Sequence, residues 1–491
     1  MSRRDIDFVK KSSMVKARRD NFSHPVDLVF KRNMSPEPEF LEDGDIPAKY
    51  KNIWYMKTMG SMEDALMELV GQELLRFMMP THPKTRLVFS DDGENYYILS
   101  KQVHGFQGMH LLRDEITQGL LDGSMSGLGE VTAVTMWIND SDYKFGNLGV
   151  DAYGNVIKID GNRCFSSLQE DVGHFNYNLA DIDFNLLPYV PAGLADHWMD
   201  VLVNSAPRYQ SSIPEMLQHK GMSREFNSGL LKILTMNDVL IRKFVHAYLG
   251  PDLPIAEKMI QMLIDRRNDL SKSAFRNGHF RRYLQSQEAE IDLEKHISNA
   301  DKFTTTNKLP IEPEAARAET LQIMRERLAG LRENAQQYPD HLSVESLKKI
   351  AAELNNFISS TAPPKSIIGQ RLSRIFDPTY DPGRIMNQRE DAAELLKIIA
   401  AKDGPVSFDE VSRYVGAMTR QDEARHRAEL EKLYFGDELL QGKQLTRENN
   451  SKLNEFHNKS KLVDCLKTID SIMKTDREMQ MKMTMPKPHG R

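Results

Sequence analysis

Apolar and polar positions alternate over residues 51–57: Ile53, Tyr55 and Lys57 share one face of a short strand and Trp54 and Met56 the other. The strand ends near Lys57. After Gly60 and Ser61 the period changes, and Met62, Leu66, Leu69, Val70, Phe77 and Met78 recur at spacings of three and four, which predicts an amphipathic helix stopped by Pro80. Arg86–Ser90 and Tyr96–Val103, separated by Asp91-Asp92-Gly93, predict a β-hairpin running into a loop with Gly105 and Gly108. A mainly helical stretch reaches Trp137. Two short strands, Leu148–Val150 and Val156–Ile159, then flank the turn Asp151-Ala152-Tyr153-Gly154-Asn155. Helical periodicity dominates 182–290. A break rich in Asn, Thr and Pro at 298–313 reads as a domain boundary, and 314–475 is helical in pattern apart from Thr361–Pro364 and Asp377–Gly383.

Length and composition narrow the class. A chain of 491 residues exceeds one ordinary core, and 40% hydrophobic with 27% charged residues is globular. No window of about 18 uninterrupted apolar residues occurs, and the Met-Ser-Arg-Arg-Asp-Ile-Asp start lacks a secretory h-region. Two cysteines, Cys164 and Cys465, allow neither a disulfide framework nor a four-cysteine zinc site, which suits a cytoplasmic protein. A net charge of −5, from 65 basic and 70 acidic residues, gives no global attraction to nucleic acid, so no nucleic-acid partner is expected.

The chemistry concentrates between Trp137 and Gly161. Phosphoryl transfer needs a carboxylate at the attacking hydroxyl, an amide oxygen and a second carboxylate for a divalent metal, and a cation against developing charge. Asp142, Asn147, Asp160 and Lys144 supply these types in that order. The Asp-x₄-Asn spacing from Asp142 to Asn147 matches the catalytic loop of protein kinases, and Asp160 ends a strand after the intervening hairpin.

With these residues the chain resembles the atypical kinase-fold proteins found among bacterial type IV secretion effectors of the Legionella kind, and more distantly HipA-like and phosphoinositide kinases. The resemblance covers roughly residues 50–290. It implies an α+β, reduced bilobal kinase-like fold at 45–295, with Lys57 as the lysine that holds nucleotide phosphates and Asp142 as the catalytic aspartate. It makes Lys144 the catalytic-loop lysine, Asn147 and Asp160 the ligands of Mg²⁺ or Mn²⁺, and Gln102, Val103 and His104 the hinge that meets the adenine of ATP. The partner glutamate of Lys57 stays open between two candidates. Glu73 lies within the apolar stripe, where a lone carboxylate would be costly. Glu68, followed by Gly71, fits the Glu-x-x-small pattern of the related kinases.

The chain departs from kinases in three places. Residues 1–56 contain one glycine, Gly44, so no glycine-rich phosphate loop precedes Lys57. Asp140-Ser141-Asp142 replaces His-Arg-Asp, and Asp160-Gly161-Asn162 replaces Asp-Phe-Gly, which argues against activation-loop control.

The remaining expectations concern charge. Residues 1–44 read as a basic polar arm, 310–480 as an all-α domain for localisation or partner binding, and 481–491 as a flexible tail. Arg266, Arg267, Lys272, Arg276, Arg281 and Arg282 form a basic run that suggests an anion pocket for an inositol polyphosphate activator. Lys459, Lys461, Lys467, Lys474, Arg477, Lys482 and Lys487 suggest docking to an anionic membrane surface. The acceptor is expected to be a protein or a phosphoinositide, and an effector would act in the host cytoplasm with peripheral membrane association.

Overall fold

The computed structural model describes residues 9–10, 14–21, 25–31, 53–90, 92–109, 115–143, 145–169, 179–181, 220–307, 314–363, 381–401, 404–418, 422 and 461–484. The architecture is α+β and mostly helical, with two antiparallel-rich sheets in the amino-terminal part. Among the described residues no helix is long and apolar enough to cross a membrane.

The larger sheet contains β1 (Val9–Lys10), β2 (Met14–Asn21), β3 (Pro25–Lys31), β4 (Trp54–Met59), β5 (Thr85–Phe89) and β6 (Tyr96–Lys101) in the order β1-β5-β6-β4-β3-β2. All neighbours are antiparallel except β1 and β5. Residues 1–44, expected as an arm, therefore contribute three strands. β4 lies centrally, with Lys57 opposite Val26 on one side and Ile98 on the other.

Helix α1 (Met62–Met78) follows β4. It starts where the Ser61 hydroxyl accepts from the Asp64 N–H at 3.1 Å, with Glu63 and Asp64 in its first turn. Its buried residues occupy every face, including Glu68, Gln72 and Glu73 as well as the predicted apolar stripe. Such a helix is a core element rather than an amphipathic surface one.

The next elements are α2 (Glu115–Asp122), α3 (Leu128–Trp137) and a small sheet of β7 (Gln107–Gly108), β8 (Leu148–Val150) and β9 (Val156–Lys158). Buried apolar side chains surround α3, and Gly129 lets it meet α4 (Lys220–Thr235): a Cβ there would sit 2.5 Å from the Met222 carbonyl oxygen. Helices α5 (Asp238–Leu249), α6 (Pro254–Arg276), α7 (Gly278–Gln285), α8 (Gln287–Asn307) and α9 (Glu314–Gln336) follow. The expected break at 298–313 is helical as far as Asn307.

The chain divides into two compact units: one comprises Met1–Ala180, Trp198–Ser271 and Tyr283–Leu331, the other Asp181–His197, Lys272–Arg282 and Arg332–Arg491. In the second, α10 (Val344–Ser360), α11 (Pro382–Ala401) and α12 (Lys461–Thr484) bury Ile350, Leu354, Phe357, Leu395, Phe408, Leu462 and Ile469 around Cys465. Helix α12 continues to Thr484, four residues into the expected tail. Each unit thus holds one buried cysteine, Cys164 in the first and Cys465 in the second.

Two buried histidines in the first unit carry a pH consequence. Burial drives both His82 and His296 down to about 3, helped by Lys158 near the former and Lys232 near the latter. His296 lies edge-on to Phe77 at 5.6 Å. The unfolded chain, with histidine near 6.5, binds these protons first, so their stabilising contribution is complete above that value and is lost as pH falls towards 3. Each histidine adds a slope of about 1.4 kcal/mol per pH unit. Thermal melts from pH 7 to 4.5 should show falling stability, and His296→Leu should flatten the slope by about one proton; an unchanged slope would contradict the assignment.

Candidate functional site

β4 ends its alternation with Lys57 directed at α1 and the segment after β9. The Lys57 ammonium lies 3.2 Å from Glu68 Oε2 and 2.6 Å from Asp160 Oδ1. Burial alone would lower its pKa, but Glu68 and Asp160 outweigh that and hold it above the ordinary lysine value. For Asp160, burial acts to raise the pKa, and Lys57 followed by Lys158 pulls it below the usual carboxylate range. Glu68 moves the other way, because its complete burial outweighs the attraction of Lys57. One ammonium thus serves two carboxylates, and the cluster keeps an excess negative charge.

Glu73 needs correction as the partner of Lys57. Its carboxylate accepts from Arg76 Nε at 3.0 Å, Arg76 Nη2 at 2.5 Å, the Thr85 N–H at 2.7 Å and the Tyr248 hydroxyl at 2.6 Å. It is buried, as its place in the stripe implied, but α1, β5 and α5 satisfy it. Gly71, one turn beyond Glu68, has a different use: a Cβ there would lie 2.5 Å from Cys164 Sγ.

Asp142 and Asn147 form the second half of the site. Asn147 Nδ2 donates to Asp142 Oδ2 at 2.9 Å and to the Asp142 carbonyl at 3.0 Å, closing the loop between α3 and β8. The buried Tyr143 hydroxyl meets Thr132 at 2.6 Å and pins the loop to α3. Backbone bonds join it to the segment bearing Asp160: Ile159 N–H to the Asn147 carbonyl at 2.9 Å, Ser141 N–H to the Arg163 carbonyl at 3.2 Å and Phe165 N–H to the Ile138 carbonyl at 2.9 Å. Lys144 lies outside the described residues.

At the proposed hinge, the Gln102 N–H donates to the Ile53 carbonyl at 3.0 Å, and the His104 carbonyl accepts from Ala152 at 3.0 Å. Val103 is half-buried between exposed Gln102 and His104.

The anion pocket also needs correction. Arg266 and Arg267 are buried and capture carbonyls at helix ends, the former those of Met136 and Trp137, the latter that of Met236 together with Asp238. In the second unit Arg281 is buried against the Phe275 carbonyl and Asp340, Arg276 binds Ser273 Oγ, and Arg282 pairs with Asp409. Lys272 is exposed and has its own interaction. Arg266, Arg267 and Arg281 are thus committed to carbonyls and carboxylates inside the fold rather than presented together to a phosphate. Along α12, Lys474 pairs with Asp470 at 3.0 Å and buried Arg477 stacks 4.3 Å over Phe408, leaving Lys461 and Lys482 exposed. Lys459 and Lys487 lie outside the described residues.

Lys158 and His82, which the sequence did not single out, lie behind Asp160 together with Asp140 and Cys164. Lys158, fully buried, places its ammonium 2.5 Å from Asp140 Oδ2 and 2.8 Å from the Asp160 carbonyl. Cys164 donates to Asp140 Oδ2 at 3.3 Å, and His82 Nε2 accepts from the Lys158 N–H at 3.1 Å. The available signal was a lysine within an apolar three-residue strand, two positions before Asp160.

The arrangement sets one lysine between two carboxylates and holds a third carboxylate, Asp142, on the adjoining loop. Among the described residues no three His, Cys, Asp or Glu side chains converge as a metal cage. No protein-family model matches the sequence, and neither does any curated protein. Among solved structures, the chain is similar to the N-terminal 618-residue fragment of LepB from Legionella pneumophila, at 12% identity and a TM-score of 0.23, covering 87% of this chain and 82% of that one. A likeness at this level defines neither the fold nor the activity.

Proposed function

We propose that the chain is an ATP-dependent phosphotransferase with a reduced kinase-like domain, passing the γ-phosphoryl group to a hydroxyl acceptor. The observation that carries this reading is Lys57 held on a central strand between Glu68 of the following helix and Asp160 at the end of a later strand. Strand lysine, helix glutamate, hinge hairpin, Asp-x₄-Asn loop and strand-end carboxylate follow one another in the order a kinase requires.

The donor set fits a hard divalent cation. Asn147 spends its Nδ2 on Asp142, which leaves its amide oxygen available, and Asp160 offers a carboxylate from a cluster with negative charge in excess. So small a donor set suits Mg²⁺ or Mn²⁺, which usually take one or two protein oxygens together with nucleotide phosphates. When bound, the ion would neutralise charge on the phosphates. Lys57 would hold the phosphates, Glu68 would orient Lys57, and Asp142 would orient the acceptor hydroxyl and take its proton. At the hinge, the Gln102 carbonyl and the Val103 N–H have no hydrogen-bond partner among the described residues and are free to meet a purine edge.

The test is transfer from γ-labelled ATP by the full chain with Mg²⁺ or Mn²⁺, offered a protein mixture and phosphoinositide vesicles, with lipid and protein extracted separately. Metal-dependent label in either fraction is the expected result, and the fraction names the acceptor class. No transfer together with no nucleotide binding would leave a kinase-like scaffold instead.

A further inference from the structure

Asp160 has φ 59°, the left-handed region that costs a non-glycine residue on the order of 1 kcal/mol. Gly161 follows it in a close-packed place, where a Cβ would lie 2.7 Å from Gln72 Nε2. Its carboxylate is held in front by Lys57, and its carbonyl is held from behind. Lys158 Nζ donates to the Asp160 carbonyl at 2.8 Å, and Asp140 Oδ2 holds that ammonium at 2.5 Å, both side chains being wholly buried. The other oxygen of the same carboxylate, Asp140 Oδ1, accepts the Asp142 N–H at 2.9 Å. Asp140 therefore reaches the backbone of Asp142 directly and that of Asp160 through Lys158.

We propose that the buried Asp140–Lys158 pair is a positioning device that sets the Asp142 and Asp160 carboxylates relative to each other, in place of the absent His-Arg-Asp and Asp-Phe-Gly side chains. The inference rests on the phosphotransferase reading. An ion pair is a poor way to stabilise a core, since a well-packed apolar pair is often as good. What the pair supplies is direction. Cys164 donates to the same Asp140 oxygen, and Gly71 lets α1 approach the Cys164 thiol, so the helix carrying Glu68 rests on the same cluster. The Asp142 and Asp160 backbones are thereby referenced to one buried group.

The test compares the wild-type chain with Lys158→Met/Asp140→Asn, which removes both charges at nearly constant volume and keeps an oxygen for the Asp142 N–H. A fluorescent ATP analogue is titrated at rising Mn²⁺, with circular dichroism melts as the measure of folding. The expected result is a folded double variant whose half-saturating Mn²⁺ is raised about 10- to 100-fold, the usual effect of losing an outer partner of a metal ligand, with metal-free binding of the analogue unchanged. A merely structural role would not separate those two constants. Wild-type Mn²⁺ dependence in a folded double variant would overturn the positioning role alone. A wild type that binds no analogue at any Mn²⁺ would remove the phosphotransferase reading and this inference with it. If the double variant fails to fold, Asp140→Asn takes its place in the same titration, with a rise of similar size expected and no rise overturning the role. If neither folds, the pair serves the fold rather than the carboxylates, and the assignment is wrong.

Discussion

Asp142→Asn is expected to lower γ-phosphoryl transfer by about 10²- to 10⁴-fold, the range for loss of a positioned general base, while nucleotide binding stays at the wild-type level. The substitution preserves volume, and the asparagine oxygen can still accept from Asn147 Nδ2, the bond that closes the loop at 2.9 Å. What disappears is the charge that would receive the acceptor proton. Because Lys57, Glu68 and Asp160 are untouched, the KM for ATP should hold while kcat collapses, the mark of an interaction made in the transition state. Steady-state kinetics with labelled ATP checks it. A variant that transfers at the wild-type rate would take Asp142 out of the chemistry.

Glu73→Ala should unfold the first unit far more readily than Glu68→Gln, although both carboxylates lie on the same helix. Glu73 satisfies Arg76, the Thr85 N–H and Tyr248 at once. Its removal leaves a largely buried guanidinium without its carboxylate and an N–H without an acceptor, which costs about 3–5 kcal/mol and lowers the melting temperature by on the order of 10 °C. Glu68→Gln keeps side-chain volume and the contact with Lys57 while removing a charge that burial already disfavours. Its stability should stay near wild type, and its affinity for an ATP analogue should fall. Melts and analogue titrations on the two variants decide the matter. The opposite outcome would return Glu73 to the nucleotide site.

These two glutamates also mark how far the sequence could be read. The 100° periodicity located Glu73 within a buried stripe, and it is buried, but periodicity cannot reveal that α1 is enclosed on every side or that Tyr248 arrives from α5 to satisfy the carboxylate. The helix α1, the β5–β6 hairpin and the β8–β9 pair were legible because Ser61, Pro80, Asp92-Gly93 and Gly154-Asn155 punctuate them chemically, whereas β7 reads from the sequence as part of a glycine loop. The strands within 1–44 were not, since a stretch rich in arginine and lysine with one glycine reads as an arm until the β4 edge offers it a partner. The basic run at 266–282 failed for a related reason. A count of guanidiniums gives charge, whereas their function depends on where they point, and the carbonyls at the ends of α3 and α4 that Arg266 and Arg267 capture come from distant parts of the chain.

The placement of the two cysteines gives the molecule a pair of internal reporters. Burial raises the Cys164 thiol well above its usual range and Cys465 to about 12, so neither offers an appreciable thiolate while its surroundings stay closed. Covalent trapping by a thiol reagent must wait for a local opening. With one such sulfur against Gly71 of α1 and the other inside the carboxy-terminal bundle, the two trapping rates time the breathing of each unit separately, in the unmutated chain and without any attached label.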